Sequence, residues 1–145
     1  PPNALVSKLP PCHHSFTFRV KPGPDGEPDT LDLHLMQRSG DMALGVPYNM
    51  SGYALMLRLM ARETGLTPGL LTHTITDAHV YLEHVPTLIK QVTEGTRSPL
   101  SSEADPATTI DLPDTSMFNL NVSDCERVSV DGYHPGDTYR YKVAV

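Results

Sequence analysis

Two runs of alternating residues, separated by a proline-rich loop, constrain the fold of this chain more than any other feature. Apolar and polar residues alternate over 16–20 and again over 31–35. A period of two is typical of strands that bury one face. Lys21–Pro28, between the runs, contains three prolines and two glycines and is therefore expected to be a surface loop. Together these segments predict an antiparallel hairpin.

A helix is expected after a turn-rich link over Asp41–Tyr48. From about Asn49, apolar residues recur at helical spacing on a wide face, and Gly65 is a natural stop. Such a helix should be long and largely buried. Pro68-Gly69 is expected to form a turn, and Leu70–Thr76 should be a third strand.

The remaining segments predict shorter elements. We expect a helix over Leu82–Val92, with Pro86 in its first turn, and a polar loop over Gly95–Pro106. Strand patterns occupy three short segments and an alternating C-terminal tail, namely Thr108–Leu112, Met117–Val122, Arg127–Val130 and Tyr139–Val145. The expected fold class is α+β, with a mixed β-sheet packed on one long buried helix in a single domain over residues 1–145.

Size and charge narrow the function classes. A chain of 145 residues suffices for one domain with a modest core. The net charge of −6 disfavours a broad nucleic-acid-binding face, although a small anionic ligand needs only a few local arginines. No apolar run approaches the length of a membrane span, and no signal-peptide pattern opens the chain. We expect a cytoplasmic protein with no membrane or nucleic-acid partner.

Chemistry is expected at Cys12, in the run Leu9-Pro10-Pro11-Cys12-His13, and at Arg38, in Gln37-Arg38-Ser39. A thiolate beside a guanidinium is an activated nucleophile at neutral pH. An inert thiol is the alternative for a lone cysteine. A metal site at Cys12, His13 and His14 is disfavoured because no second Cys/His pair has zinc spacing, and we expect no metal.

Three motifs in order resemble the catalytic half of the thymidylate synthase family. They are Leu9-Pro10-Pro11-Cys12-His13, the run from Gln37 to Asn49, and Asp77-Ala78-His79-Val80-Tyr81. The similarity extends from about Leu9 to Ala144-Val145 and is loose over Gly95–Asp114. It implies a thymidylate synthase-like fold, a homodimer, and transfer of a one-carbon unit from 5,10-methylenetetrahydrofolate to C5 of dUMP.

The resemblance also implies roles for individual residues. Cys12 would add to C6 of the pyrimidine, and Arg38 and Ser39 would hold the phosphate. Asn49 would pair with the N3–H and O4 edge of uracil, where an aspartate would suit cytosine. His79 and Tyr81 would bind a sugar hydroxyl. The implied substrate site also includes Gly40, Asp41 and Val80, and the implied folate contacts are Asp41 and Ala144.

Four residues depart from the family pattern, namely Thr17, Met36, Thr76 and Glu83, where glutamine, tyrosine, glycine and asparagine are usual. They leave open a hydroxymethylase of dUMP, or secondarily of dCMP, which admits water in place of hydride. The chain corresponds to about the C-terminal half of the family's length, and it opens on Pro1-Pro2-Asn3. We therefore expect an N-terminal half on another chain or lost by cleavage. A non-catalytic, nucleotide-binding fragment is the further alternative.

Overall fold

The computed structural model describes residues 9–94, 109–132 and 136–143. The described residues up to Val80 form one compact unit, and those from Tyr81 onwards form another. The first unit contains β1 (His13–Pro22), β2 (Pro28–Asp41), α1 (Gly45–Thr64) and β3 (Thr67–His79). Among the described residues, no helix is both long and apolar enough to cross a bilayer.

The predicted hairpin is confirmed, and both of its strands are longer than the alternating runs that indicated it. β1 pairs antiparallel with β2, so that Phe16 lies opposite Leu35 and Val20 opposite Leu31. In the connecting loop, Gly26 adopts a φ of 86°, a left-handed conformation that favours glycine. The run Gln37-Arg38-Ser39 lies within β2, so the sheet itself holds these residues.

The sheet is mixed, as predicted, because β3 pairs parallel with the other side of β2. The turn predicted at Pro68-Gly69 is wrong, since both residues lie inside β3. Pro68 is accommodated because β3 is an edge strand, where one N–H can be missing. The pairing shifts by one residue just beyond Pro68, and there the Asp32 carboxylate accepts the N–H of Leu70 at 2.8 Å.

Helix α1 ends where the sequence predicts but begins earlier. Gly65 follows its last residue with a φ of 70°, which confirms the predicted stop. The helix begins at Gly45 rather than near Asn49, because Pro47 lies in the first turn, where no helical N–H partner is needed. Part of the segment expected to be a link is therefore helical.

One side of α1 packs on the sheet, and the core of the first unit lies between them. Leu31 and Leu33 of β2 are buried there against Leu57 and Ala61 of α1. Full burial of a leucine side chain contributes about 1.5–3 kcal/mol. Only Val46, Leu57 and Ala61 of the helix are buried in this structure. The expected α+β character is present, but the helix is packed on one side and is not the largely buried helix expected.

The second unit has short elements, listed here in chain order: α2 (Val85–Glu94), β4 (Thr109–Asp111), a 3₁₀ turn (Met117–Asn119), α3 (Val122–Cys125) and β5 (Ser129–Asp131). The structure agrees with a helix after Leu82, with Pro86 in its first turn. β4 and β5 pair antiparallel, at or next to the segments expected to be strands.

The strand predicted over Met117–Val122 is wrong. A capping box replaces it: Asn121 accepts the N–H of Ser123 at 3.0 Å, while Asp124 accepts the N–H of Asn121 at 3.0 Å. These side-chain bonds start a helical turn instead of a strand. Residues 139–143 form no strand, and the loop expected over Gly95–Pro106 lies outside the described residues.

Candidate active site

The polar end of the parallel strand pair gathers several of the predicted substrate residues. β2 and β3 run in the same direction, so Ser39 lies opposite Asp77 and Asp41 lies opposite His79. The Ser39 hydroxyl donates to the Asp77 carboxylate at 3.3 Å, and His79 Nδ1 lies 3.4 Å from the same carboxylate. The carboxyl ends of adjacent parallel strands therefore place a hydroxyl, two carboxylates and an imidazole at one edge of the sheet.

Cys12 and Arg38, which belong to two separate motifs, lie side by side in the backbone. The backbone N–H of Arg38 donates to the carbonyl of Cys12 at 2.9 Å, next to the point where β1 begins. The Arg38 guanidinium donates twice to the carbonyl of Pro10, through Nε at 3.2 Å and through a terminal nitrogen at 2.6 Å. The Cys12 thiol is exposed and forms no disulfide. Arg38 thus binds the cysteine segment at two points, the carbonyls of Cys12 and Pro10.

A shallow cleft of about 170 Å³ lies between the start of β1 and the first half of α1. It is lined by His13, Tyr48, Asn49, Gly52, Tyr53 and Met56. His13 Nδ1 lies 3.3 Å from the Tyr53 hydroxyl, and the two rings meet edge to face at 5.3 Å. His13 follows Cys12 directly, so the cleft that Asn49 lines opens next to the proposed nucleophile in the chain.

A buried amide, Gln37, orients the side chain of Asn49. Gln37 is 3% exposed, and its Nε2 donates to Asn49 Oδ1 at 3.1 Å and to the carbonyl of Ser39 at 2.7 Å. Its Oε1 faces His73 Nε2 at 2.8 Å. No role in the site was predicted from the sequence for Gln37, His73 or His13. The available signal was that Gln37 continues the alternation of buried residues in β2, where a polar side chain needs partners.

Gly40, which was expected in the substrate site, lies close to the amide of Gln37. A Cβ added at Gly40 would lie 2.9 Å from Val46 Cγ2, 3.2 Å from Gln37 Nε2 and 3.3 Å from Ile75 Cδ1. The absence of a side chain at this position therefore leaves room for the amide of Gln37. Contact between Gly40 and a substrate stays a prediction.

Asp41, expected to contact both substrate and folate, closes the turn between β2 and α1. Its carboxylate accepts the N–H of Ala43 at 3.0 Å. The N–H of the next residue, Met42, donates to the carbonyl of His79 at 2.8 Å. These bonds fix the backbone of Asp41 at the same sheet edge as Ser39 and His79.

Tyr81 belongs to the second unit, where it packs against a buried histidine. The Tyr81 and His84 rings meet edge to face at 5.5 Å, and His84 Nε2 bonds to the carbonyl of Lys142 at 2.6 Å. Val80 is half-buried and follows the last residue of β3. Ala144, the other predicted folate contact, lies outside the described residues.

His13, which lines the cleft, lies close enough to His73 to affect the charge of that ring. Burial, and secondarily the nearby His13, lower the pKa of His73 below its usual value of 6.5, which favours a neutral imidazole. Across residues 9–94, 109–132 and 136–143, no group of three or more His, Cys, Asp or Glu side chains is arranged to hold a metal ion.

Comparison with known proteins finds similarity to thymidylate synthases over nearly the whole chain. The family model described as thymidylate synthase matches residues 2–145. The thymidylate synthase of Mycoplasma genitalium is 42% identical over 127 residues, which cover 88% of this chain and 39% of that protein. The Listeria monocytogenes thymidylate synthase is 37% identical over 137 residues, which cover 94% of this chain and 39% of that protein.

A shorter match is closer in sequence. The thymidylate synthase of Haloferax volcanii is 52% identical over 81 residues, which cover 56% of this chain and 22% of that protein. This chain therefore spans about two fifths of the length of the two longer-matching relatives. With the family model matched almost from end to end, the chain belongs to the thymidylate synthase family.

Proposed function

We propose that this chain carries the nucleophile half of an enzyme that converts dUMP to dTMP with 5,10-methylenetetrahydrofolate. The observation that supports this most is the placement of three residues. Cys12 is held beside Arg38 by the bond to its carbonyl, and Asn49 lines the cleft that begins at His13. The membership of the family, shown above, supplies the reaction class.

In the proposed reaction, the Cys12 thiolate adds to C6 of the pyrimidine, because that carbon is a weak electrophile and needs a soft, strong nucleophile. The addition makes C5 nucleophilic, so C5 can bond to the one-carbon unit and then lose its proton. Methylenetetrahydrofolate supplies that carbon, and breaking of its bond to the folate nitrogen releases tetrahydrofolate and leaves an exocyclic methylene at C5. Hydride from tetrahydrofolate, which is oxidised to dihydrofolate, then completes the methyl group. Elimination of the thiolate releases the product and regenerates Cys12.

Substrate binding is assigned to the surrounding side chains. Arg38 and Ser39 would hold the phosphate, since a guanidinium can bind two phosphate oxygens at once. His79 and Tyr81 would bond the sugar hydroxyl, with Gly40 and Val80 as backbone contacts. Asn49 would read the pyrimidine edge, and Asp41 and Ala144 would contact the folate. The exposed thiol and the cleft beside it support this arrangement.

The reaction is expected to need more of the protein than these residues. Relatives of this chain are about two and a half times as long as the part it matches. We propose that the remaining walls of the site come from an N-terminal half on the same or another chain, and that the active form is a homodimer. A cytoplasmic location stays a prediction.

Three of the four departures from the family pattern, at Thr17, Met36 and Thr76, favour a synthase over a hydroxymethylase. The fourth, Glu83, lies in the second unit and keeps the hydroxymethylase as the alternative. Met36 follows Leu35 and precedes Gln37 on β2, so it lies on the opposite face of the sheet from the amide of Gln37. Ile75 pairs with Gln37 and so shares its face of the sheet, which leaves the next residue, Thr76, on the other face. In β1, Phe16 pairs with Leu35 on the face of Gln37, and the next residue, Thr17, lies on the other face. All three substitutions therefore lie on the sheet face remote from Asn49.

Covalent trapping tests the proposal. We expect 5-fluoro-dUMP with methylenetetrahydrofolate to add to Cys12, detected by intact mass and peptide mapping. Cys12→Ser should abolish the adduct, while Cys125→Ser, which removes the other exposed thiol, should leave it unchanged. The assay is run on the chain alone and on the chain joined to the N-terminal half of the Listeria monocytogenes relative. Absence of an adduct in both would overturn the proposal, and a product with an added oxygen would indicate the hydroxymethylase.

A further inference from the structure

The amide of Gln37 has only one orientation that satisfies its neighbours. The carbonyl of Ser39 can only accept, so the atom 2.7 Å from it must be the nitrogen of Gln37. The other hydrogen on that nitrogen points to Asn49 Oδ1 at 3.1 Å. The oxygen of Gln37 then faces His73 Nε2 at 2.8 Å, so His73 must donate a proton there.

His73 is therefore the first donor of a directed chain: His73 donates to Gln37, and Gln37 donates to Asn49. The chain crosses from β3 through β2 to α1, and its central amide is 3% exposed. Water is not a substitute partner for a group buried to this extent. Removing the donor at His73 would leave the oxygen of Gln37 buried and unsatisfied, so that only the Ser39 carbonyl would still oppose rotation of the amide.

The direction of this chain decides what Asn49 offers to a ligand. With Gln37 donating to its oxygen, the Nδ2 hydrogens of Asn49 remain for a ligand in the cleft that Asn49 lines. Its oxygen keeps one lone pair as well. If the amide of Gln37 were rotated, the amide of Asn49 would have to rotate with it, and the donor and acceptor of Asn49 would exchange positions. The two orders match different pyrimidines, because a 4-oxo ring presents O4 as acceptor beside N3–H, whereas a 4-amino ring presents a donor beside a bare N3.

We infer that His73 is a positioning residue for pyrimidine specificity: through Gln37 it holds Asn49 in the order that binds a 4-oxo ring and rejects a 4-amino ring. This inference rests on the proposed function, since it assumes that Asn49 reads a pyrimidine. His73 itself lines no part of the cleft. Its effect on specificity is transmitted by the two intervening hydrogen bonds.

The first test measures binding of dUMP and dCMP by calorimetry in the chain joined to a relative's N-terminal half. His73→Leu removes the donor, and the ratio of the dUMP to dCMP affinities should fall on the order of tenfold, the size expected for an orphaned hydrogen-bond partner. His73→Gln can still donate to Gln37 and should restore most of the ratio. His34→Leu is the matched control, because His34 bonds to Thr74 at 2.8 Å and lies on the other face of β2. An unchanged ratio in a folded His73→Leu protein would overturn the inference.

A second measurement does not depend on nucleotide binding or on a folded variant. Nitrogen-15 NMR of the wild-type imidazoles should show His73 protonated at Nε2. A neutral ring protonated only at Nδ1 would overturn the inference, since Nε2 would then be an acceptor facing an acceptor. If wild type binds neither nucleotide while His73 is protonated at Nε2, the proposed function has failed, and the specificity role fails with it although the hydrogen-bond chain stands.

Discussion

Arg38 holds Cys12 through its backbone N–H, at 2.9 Å from the Cys12 carbonyl, and turns its guanidinium onto the carbonyl of Pro10. The same residue therefore fixes the cysteine segment from both its main chain and its side chain. Only the side-chain part depends on the identity of the residue. This separation makes the contribution of the guanidinium measurable.

Arg38→Lys should slow adduct formation with 5-fluoro-dUMP by about tenfold or more. A lysine is a single point charge, so it cannot keep the two-pronged bond to Pro10 or grip a phosphate through two parallel bonds. The measurement is the rate of covalent labelling of Cys12. Arg19→Lys, an exposed change on β1, is the matched control and should leave that rate unchanged. Equal rates in both variants would show that the guanidinium is dispensable.

Gln37→Glu should destabilise the protein more than Gln37→Leu at neutral pH. Leucine removes the bonds that Gln37 makes to the Ser39 carbonyl and to His73, at a cost of about 1–3 kcal/mol in the free energy of unfolding. Glutamate adds a buried charge whose oxygens face the Ser39 carbonyl, an acceptor that cannot reorient. Urea unfolding of the three proteins measures the order. A glutamate variant as stable as the leucine variant would contradict the hydrogen-bond directions given above.

Much of the first unit follows from local sequence patterns. The hairpin was predictable because period-two alternation indicates a strand directly, and β3 because its segment is rich in Leu, Ile and Thr. The end of α1 was predictable because Gly65 can adopt a left-handed conformation. The helix start was missed because Gly45 and Pro47 made Asp41–Tyr48 resemble a turn-rich link, although a proline fits the first helical turn. The helical turn at Asn121 was missed because the preceding apolar residues suggested a strand.

The site was only partly predictable, because its central contact is not local. Cys12, Arg38 and Asn49 were predicted from motifs. Gln37 and His73 lie 36 residues apart and meet only when β3 pairs parallel with β2. No pattern within either strand specifies that pairing. Sequence alone could show that Gln37 falls on the buried face of β2, and burial would then require a partner of unknown identity.

Gly69→Ala should destabilise the protein, while Gly52→Ala should stabilise it. An added Cβ at Gly69 would overlap the Asp32 carboxylate and lie 2.5 Å from Thr30 Cγ2, and such overpacking costs about 1–3 kcal/mol. Gly52 lies in α1 with nothing within 4 Å of an added Cβ, so alanine there should gain up to about 1 kcal/mol. The midpoints of urea unfolding for both variants measure the two effects. A change of the same sign in both would contradict the geometry.

Asp32 should make stability fall in acid. The N–H of Leu70, and secondarily the ion pair with Lys21, lower the pKa of Asp32 below its usual value of 3.8. A carboxylate with a lowered pKa in the folded state contributes stability above the unfolded value, and that contribution is lost as the pH falls from 3.8 through the folded value. Asp32→Asn should therefore lower stability at pH 6 and converge with wild type in strong acid. A difference that does not change with pH would sink this prediction.

His73 should produce a loss of stability at mildly acidic pH. Burial and the nearby His13 lower the pKa of His73 below 6.5, so the folded protein takes up a proton at this ring less readily than the unfolded chain does. Stability is then unaffected well above pH 6.5, and it falls progressively as the pH drops below 6.5, until the folded-state pKa is passed. The observable is the difference in unfolding free energy between wild type and His73→Gln, measured from pH 8 to pH 5, because glutamine keeps the bond to Gln37 but does not titrate. Wild type should lose stability relative to His73→Gln on acidification, whereas His34→Gln should not reproduce this change. A difference that stays constant across this range would mean that His73 titrates alike in the folded and unfolded states.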